Sequence, residues 1–113
     1  MELHSDIWVY ALIRRAELGG AFATVARKGD ARAGAVLVKT LDRRGGHARL
    51  YAQALGVDGQ PVWMRPLDSL EEADVDAHIE RAARFDPDLW VVEIEDADGR
   101  RFLTEPVEDP DPA

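Results

Sequence analysis

The apolar pattern at the start of the chain predicts a helix from Ser5 to Leu18. Ser5 is a residue type that favours the N-cap position, and the pair Gly19-Gly20 supplies a stop. The strand formers of 7–10 make a short strand the rival interpretation, but the good helix formers of 11–18 favour the helix.

The first two turns of this helix are apolar on every side, and such a helix must be covered by more than one neighbour. We therefore expect it to carry interface surface as well as core surface. At least one of Trp8, Val9 and Tyr10 should be exposed or lie in a subunit contact, which makes Trp8 and Tyr10 interface candidates.

Strand formers between turn-forming residues predict five or six strands, joined by short turns that favour antiparallel pairing. Pro61 and Pro66 flank one of them, which is typical of an edge strand. The predicted strands are Phe22–Lys28, Ala35–Leu41, His47–Leu55, Gln60–Arg65, Leu89–Glu95 and Arg101–Thr104.

A second helix is predicted after Ser69, where Ser69 and Glu72 have the spacing of a capping box. Pro87 ends this helix at or before Asp86. Its apolar stripe at helical spacing consists of Val75, Ile79, Ala82 and Phe85.

These elements predict one α+β domain over residues 1–105, in which an antiparallel sheet of five or six strands carries two helices packed on one face. Residues 106–113 contain three prolines and three acids in eight positions, which predicts a flexible acidic tail.

Four sequence blocks resemble a small bacterial family known as domain of unknown function 1491. The blocks are Ser5–Val9, Ala11–Arg15, Gly34–Lys39 and Arg84–Asp96. The resemblance covers nearly the whole chain except the tail and implies a bacterial protein of about this length. It brings no known activity, so it assigns no functional residue.

Charge and cysteine content exclude several function classes. The formal net charge is −8, which argues against a general nucleic-acid binder. The chain has no cysteine, which excludes disulfides, a thiol nucleophile and thiolate metal sites. The longest apolar run, Ile7–Ile13, is far too short to span a bilayer, and we expect a cytoplasmic protein without membrane partners.

No cofactor or metal is expected. Nothing in the sequence brings His4, His47 and His78 together, although Asp74 and His78 are spaced to share a helix face. The segment 96–99 is similar to a calcium loop, but the first ligand position then falls on Ile94. Neither a phosphate-binding glycine loop nor a nucleophile elbow is present.

Strand alternation predicts one polar face of the sheet, on which aromatic, guanidinium and carboxylate groups meet. Three interpretations remain open: a solvated outer face with cross-strand ion pairs, a protein interface, and a site for a polar ligand. The predicted face consists of Arg49, Tyr51, Gln53, Trp63, Arg65, Glu93 and Glu95.

The favoured function is a small non-enzymatic interaction module that associates with itself or with a protein partner. The alternative is a small enzyme or ligand-binding domain, in which Glu93 is the acid or base and Arg49 and Arg65 hold an anionic group.

Charge is also segregated along the chain. Residues 1–65 carry a net +4 and residues 66–113 a net −12. We therefore expect a basic group to contact an acidic surface, within one chain or between copies, through contacts that salt would screen. This basic group consists of Arg43, Arg44, Arg49 and Arg65.

Overall fold

The computed structural model describes residues 4–108 and contains two helices and five strands. In chain order these are α1 (Ser5–Leu18), β1 (Phe22–Arg27), β2 (Val36–Asp42), β3 (Ala48–Leu55), β4 (Pro61–Met64), α2 (Glu72–Phe85) and β5 (Trp90–Asp96). The α+β class is confirmed. None of the described helices is long and apolar enough to cross a membrane.

The five strands form one mixed sheet in the order β1-β5-β2-β3-β4. β5 runs parallel to β2 and antiparallel to β1, while the other pairs are antiparallel. The prediction of a purely antiparallel sheet is therefore wrong. It assumed that strands adjacent in sequence also pair, whereas β5 lies between β1 and β2.

The two helices pack on opposite faces, so the prediction of one shared face is also wrong. Val9 of α1 belongs to the same core cluster as Val36 and Val38. Val75 of α2 belongs to a second cluster with Leu37. Successive residues of a strand point to opposite faces, so the sheet has an α1 face and an α2 face, each with its own core.

Both predicted serine caps are replaced by other contacts. Ser5 lies inside α1, and its Oγ donates to the Gly34 carbonyl at 2.7 Å. Ser69 Oγ accepts from the Glu71 amide and donates to Asp74, while the α2 cap residue, Glu71, makes no side-chain capping bond. The capping box therefore does not form.

At the end of α2, Phe85 is 88% exposed, which contradicts its place in the predicted stripe. The rest of the predicted stripe does face the sheet: Val75 is fully buried, and Ile79 and Ala82 are partly buried against the same core cluster, together with Ala83. α2 does end before Pro87, as predicted.

Lys39 ties α2 to the sheet. Its side chain, only 5% exposed, lies 2.7 Å from Glu72 and 2.8 Å from Asp76 on α2, and 3.8 Å from Glu93 on β5. Burial alone would lower the pKa of Lys39, but the hydrogen bonds that its ammonium donates to Asp76 and Glu72 outweigh this effect and raise the pKa above its usual value. The lysine is therefore charged at neutral pH.

Replacing Lys39 with methionine is expected to lower the free energy of unfolding by about 1–2 kcal/mol. The change keeps most of the buried volume but leaves Glu72, Asp76 and Glu93 without their shared cation. These carboxylates are partly exposed, which limits the loss. Urea unfolding measures the effect, and Lys28→Met, on an exposed lysine, is the control. Equal midpoints for the two variants would contradict this role.

Candidate functional site

A strap formed by the C-terminal residues 100–108 covers the part of the α1 face that α1 leaves open. Arg15 donates to the Phe102 carbonyl, and Phe102, Leu103 and Val107 pack on the core of this face. No strand forms over 101–104, so the predicted sixth strand is wrong. Phe102 has φ 59°, a left-handed conformation that turns the chain there.

The strap ends against β4. The Trp63 amide donates to the Pro106 carbonyl, and the Glu108 amide donates to the Trp63 carbonyl, each at 2.8 Å. Val107 thereby forms a parallel bridge with Trp63. Residues 106–108, which the sequence assigned to the tail, are thus hydrogen-bonded to the sheet edge, and 109–113 lie outside the described residues.

Two tryptophans share one carboxylate at the strap. Trp63 Nε1 donates to Glu105 Oε1 at 2.9 Å, and Trp8 Nε1 donates to Glu105 Oε2 at 3.2 Å. The two rings lie 5.2 Å apart at a tilt of 33°. Burial alone would raise the pKa of Glu105, but its hydrogen bonds, chiefly those from the two indoles, together outweigh this effect, so the pKa lies below its usual value. Glu105 is therefore ionised at neutral pH.

The loop between β1 and β2 faces this cluster and is held from three sides. Its carbonyls at Arg32 and Ala31 accept from the first amides of α1. The buried Trp90 donates from Nε1 to the Asp30 carbonyl at 2.7 Å. A Cβ at Gly34 would collide with the Asp88 carbonyl, so only glycine allows this close approach.

The ladder between β2 and β3 opens at the same end of the sheet. The last backbone pair is Leu37 with Ala52, and beyond it Gln53 Oε1 accepts from the Val36 amide at 3.0 Å. A side-chain amide thus replaces the backbone partner that a longer strand would supply. The opening separates the start of β2 from the β3–β4 hairpin.

The result is a half-open groove of about 680 Å³. One wall is the tryptophan pair with Glu105, the other is the β1–β2 loop, and β2 and β3 form the floor. The lining residues are Ser5, Trp8, Arg32, Ala33, Gly34, Ala35, Val36, Gln53, Pro61, Val62, Trp63 and Glu105.

The predicted polar face is divided between the two faces of the sheet. Register places Arg49, Tyr51, Gln53 and Trp63 on the α1 face, where Tyr51 and Trp63 are buried core residues rather than surface groups. Of these, Gln53 and Trp63 reach the groove.

The predicted carboxylates lie elsewhere. Glu93 and Glu95 are on the α2 face, where they line a cavity of about 190 Å³ beside Phe22. Glu95 is 3.9 Å from Arg43. The sheet separates them from Tyr51, so the expected meeting of aromatic and carboxylate groups on one face is wrong.

Arginines of the expected basic surface make contacts within the chain. Arg43 faces Glu95 as described, Arg44 pairs with Asp98 at 3.0 Å, and Arg65 is 8% exposed with Nη2 directed to the Asp68 carbonyl. The attraction between basic and acidic segments is therefore realised, in these pairs, inside one chain.

The burial of Trp8, Val9 and Tyr10 agrees with what the apolar pattern of α1 predicted. Val9 is fully buried, Trp8 is half-buried in the groove wall, and Tyr10 is 53% exposed with its ring edge-on to Trp90. The expectation that at least one of Trp8, Val9 and Tyr10 is exposed is confirmed.

Sequence reasoning missed Glu105, Arg32 and Gly34 as groove residues. Glu105 was placed next to a flexible tail, and nothing in its sequence context indicates two indole partners. The position of Gly34, in the loop just before a strand, could have indicated its role, because such a glycine often marks a close approach between backbone segments.

Among residues 4–108, no group of three His, Asp or Glu side chains could hold a metal ion.

The fold defines a class of small α+β domains with a five-stranded mixed sheet, one helix on each face, and a strap that completes one core. The chain belongs to the DUF1491 family, whose description is "protein of unknown function" and which matches residues 3–104. This confirms the resemblance seen in the sequence.

Three solved structures are similar. A crystal structure at 1.87 Å of a DUF1491 family protein from Caulobacter crescentus is 72% identical, with a TM-score of 0.93, and covers 95% of this chain and 100% of its own. An NMR structure of a DUF1491 family protein from the same organism is 72% identical, with a TM-score of 0.90, and covers 96% of this chain and 99% of its own.

The third is the solution structure of protein Atu0922 from A. tumefaciens, 36% identical, with a TM-score of 0.80 and full coverage of both chains. No curated protein matches the chain.

Proposed function

We propose that this protein is a small non-enzymatic interaction module that holds an extended segment of a partner protein in the groove beside Trp8 and Trp63. The observation that carries the proposal is the half-open groove of about 680 Å³ with an aromatic wall. Extended and proline-containing peptides dock in grooves of this kind, which offer apolar surface and a few fixed polar groups.

The hydrogen-bonding groups of the groove support a ligand rich in acceptors. Arg32 and the Gln53 side-chain nitrogen are donors, whereas Glu105 already accepts from both indoles and Gln53 Oε1 from Val36. Peptide carbonyl groups are such acceptors and recur along any extended segment. The charge of Glu105 is stabilised by the hydrogen bonds from the two indoles, so it does not require a cationic ligand.

The state of the polar groups disfavours acid–base or nucleophilic catalysis. Glu105 has a lowered pKa and holds no proton to donate at neutral pH. The Ser5 hydroxyl donates to a backbone carbonyl rather than to a base. The enzyme alternative needs Glu93 beside Arg49 and Arg65, but Glu93 lies on the α2 face, away from Arg49.

The test is selection of peptides from a phage-displayed library of random 12-residue sequences on the full chain, followed by titration of the synthetic peptides by tryptophan fluorescence. We expect micromolar binding, which is typical of short peptides in open grooves, and shifts of the indole NMR signals of Trp8 and Trp63. Ala33→Trp fills the groove and should weaken binding about tenfold or more, a loss of 1.4 kcal/mol or above.

The matched control is Ala77→Trp, at an exposed position of α2 away from the groove, which should bind as the unchanged protein does. Peptides indifferent to Ala33→Trp would show that the groove is not the site. If no peptide binds but a fragment library shifts the same indole signals, the groove takes small molecules instead. Self-association belongs to the same proposal and depends on α1.

A further inference from the structure

Three arginines lie around Tyr51 on the α1 face, at the end of the sheet opposite the groove. Arg101 lies over the Tyr51 ring, with its guanidinium carbon 5.5 Å from the ring centroid. Arg49 comes two residues before Tyr51 on β3, so both side chains point to the same face. Arg65 follows directly after β4, where the register of β3 and β4, continued by one residue, sets it opposite Tyr51. Arg49, Arg65 and Arg101 are named here the arginine cluster.

The arginine cluster is suited to bind carboxylates. Arg65 is 8% exposed, and Arg49 and Arg101 are half-buried, so these side chains are held at the edge of the core rather than in open solvent. A planar guanidinium fits a carboxylate with two parallel hydrogen bonds, and the attraction is stronger where water is partly excluded. A segment that bears carboxylates is therefore the class of ligand that this surface fits.

We propose that the arginine cluster is the binding surface for residues 109–113 of this same chain, with the carboxylate of Asp109 docked on it. The segment has the sequence Asp-Pro-Asp-Pro-Ala. The inference goes beyond the proposed function, because none of the three arginines lines the groove. It assigns a basic counterpart on the sheet to the acidic end of the sequence.

The register of the strap leads residue 109 to the arginine cluster. Val107 forms a parallel bridge with Trp63. Because parallel strands advance together, Asp109 comes level with Arg65 two residues further along. Glu105 and Val107 both turn their side chains to the α1 face, the first to the indoles and the second to the core. Alternation gives the Asp109 side chain the same direction, towards the arginines.

The prolines of the segment determine how it can bind. The Glu108 amide donates to the Trp63 carbonyl, but the next amide on that side would belong to Pro110, which has no N–H. Backbone pairing with β4 therefore stops, and side chains must supply any further attachment. Asp109 and Asp111 each precede a proline, which favours an extended conformation, so the segment loses little conformational freedom when it docks.

Tethering and length favour this segment over a separate acidic partner. Glu108 is bonded to β4, so residue 109 is held beside the arginine cluster at a high effective concentration. A second copy or another protein would have to lose its translational and rotational freedom to reach the same arginines. Five extended residues span about 15 Å, which is enough to pass from β4 to β3, a strand spacing of about 4.8 Å.

Docking of the segment fixes the second end of the strap. The first end is held by Arg100, which pairs with Asp96 at 2.7 Å. At the second end, the Glu108 amide bonds to the Trp63 carbonyl at 2.8 Å. With Asp109 on the arginine cluster, this end opens only when charge-assisted hydrogen bonds also break. Hydrogen exchange at the Glu108 amide therefore measures the docking.

A spin label locates the segment. The chain has no cysteine, so Ala113→Cys supplies a single attachment point for a nitroxide in the full chain. We expect the label to broaden the NMR signals of Tyr51 and Arg101 and to leave those of α2 sharp. Ala77→Cys, at an exposed position of α2 on the other face of the sheet, is the matched control and should give the reverse pattern.

The double variant Asp109→Asn with Asp111→Asn tests the role of charge. It keeps the size of both side chains and both prolines but removes the two carboxylates. We expect the label at position 113 to stop broadening Tyr51, and the Glu108 amide to exchange about tenfold faster, as for loss of a charge-assisted hydrogen bond. The control, Glu17→Gln with Glu80→Gln, makes the same change in net charge at exposed helix positions and should leave both readouts unchanged.

A mixed sample distinguishes the chain's own segment from that of a second copy. Isotope-labelled protein without a nitroxide is combined with spin-labelled protein at natural isotope abundance, so that only contacts between chains broaden the detected signals. We expect Tyr51 and Arg101 to stay sharp in this mixture. If they broaden there, a second copy supplies the segment, and docking within the chain is wrong.

Two further results would overturn the inference. They are the absence of broadening at Tyr51 and Arg101 from the label at position 113, and broadening that survives the double aspartate substitution. Neither result bears on peptide binding in the groove, which is measured separately through Ala33→Trp, so failure of the docked segment and failure of the groove are distinguishable.

Discussion

Trp63→Ala is expected to lower the free energy of unfolding by about 3–5 kcal/mol, the usual range for removal of a buried large aromatic side chain. Trp63 is 1% exposed and stacks beside Trp8. The substitution leaves a cavity and also deprives Glu105 of its shorter indole hydrogen bond. Urea unfolding measures the loss, and hydrogen exchange should show faster exchange at the Glu108 amide, which bonds to the backbone of residue 63.

Trp63→Phe separates these two contributions. It keeps most of the ring volume but removes the indole N–H, so it should cost about 1–2 kcal/mol, as expected for one hydrogen bond to a charged group plus a small loss of packing. If Trp63→Ala and Trp63→Phe had equal effects, packing of the ring would contribute nothing, and the strap would depend on the hydrogen bond alone.

Asp96→Asn is expected to cost about 2–3 kcal/mol, because it weakens several charge-assisted hydrogen bonds at once. The Asp96 side chain is 2% exposed. It pairs with Arg100 at 2.7 Å and accepts from the amides of Asp98 and Arg100. Arg100 also donates to the Gly19 carbonyl, so this carboxylate orients the start of the strap against the end of α1.

The pH dependence of the folding stability gives a second measure of how much the ionised Asp96 contributes. The hydrogen bond from Arg100 is the largest cause that lowers the pKa of Asp96, and it outweighs the opposing effect of burial. A lowered pKa in the folded state means that the stabilisation is complete above the unfolded-state pKa, near about 4, and is lost as pH falls below it.

The difference in stability between the unchanged protein and Asp96→Asn should therefore be constant from pH 6 to 7 and shrink below about pH 4. Asp98→Asn is the control, since that carboxylate is exposed and its ion pair with Arg44 is on the surface. It should change stability by less than about 1 kcal/mol. A difference that stays constant down to acid pH would contradict the ionised, paired state of Asp96.

The sequence predicted the elements better than their arrangement. Both helices and five strands were found because their boundaries depend on local signals, such as the glycines after Leu18 and the proline after α2. Strand order is not local. The position of β5 between β1 and β2 depends on which strands bury the most surface together, and no turn signal records that choice.

The candidate site was only partly predictable for the same reason. Alternation correctly grouped Tyr51 with Trp63, yet it indicated a surface because nothing local shows that a strap returns over them. Gln53 was singled out for its position and does reach the groove, whereas Glu105 was not, because its two indole partners are 42 and 97 residues away in sequence.

The position of β5 between β1 and β2 also has a consequence for biosynthesis. β1 pairs only with β5 in the described sheet, and β2 needs β5 on its parallel side. During translation, the hairpins of β2, β3 and β4 can form early, but β1 has no strand to join until residue 96 has been made. β1 must therefore wait for its partner β5, and folding is completed by long-range pairing that is slow compared with the formation of local hairpins.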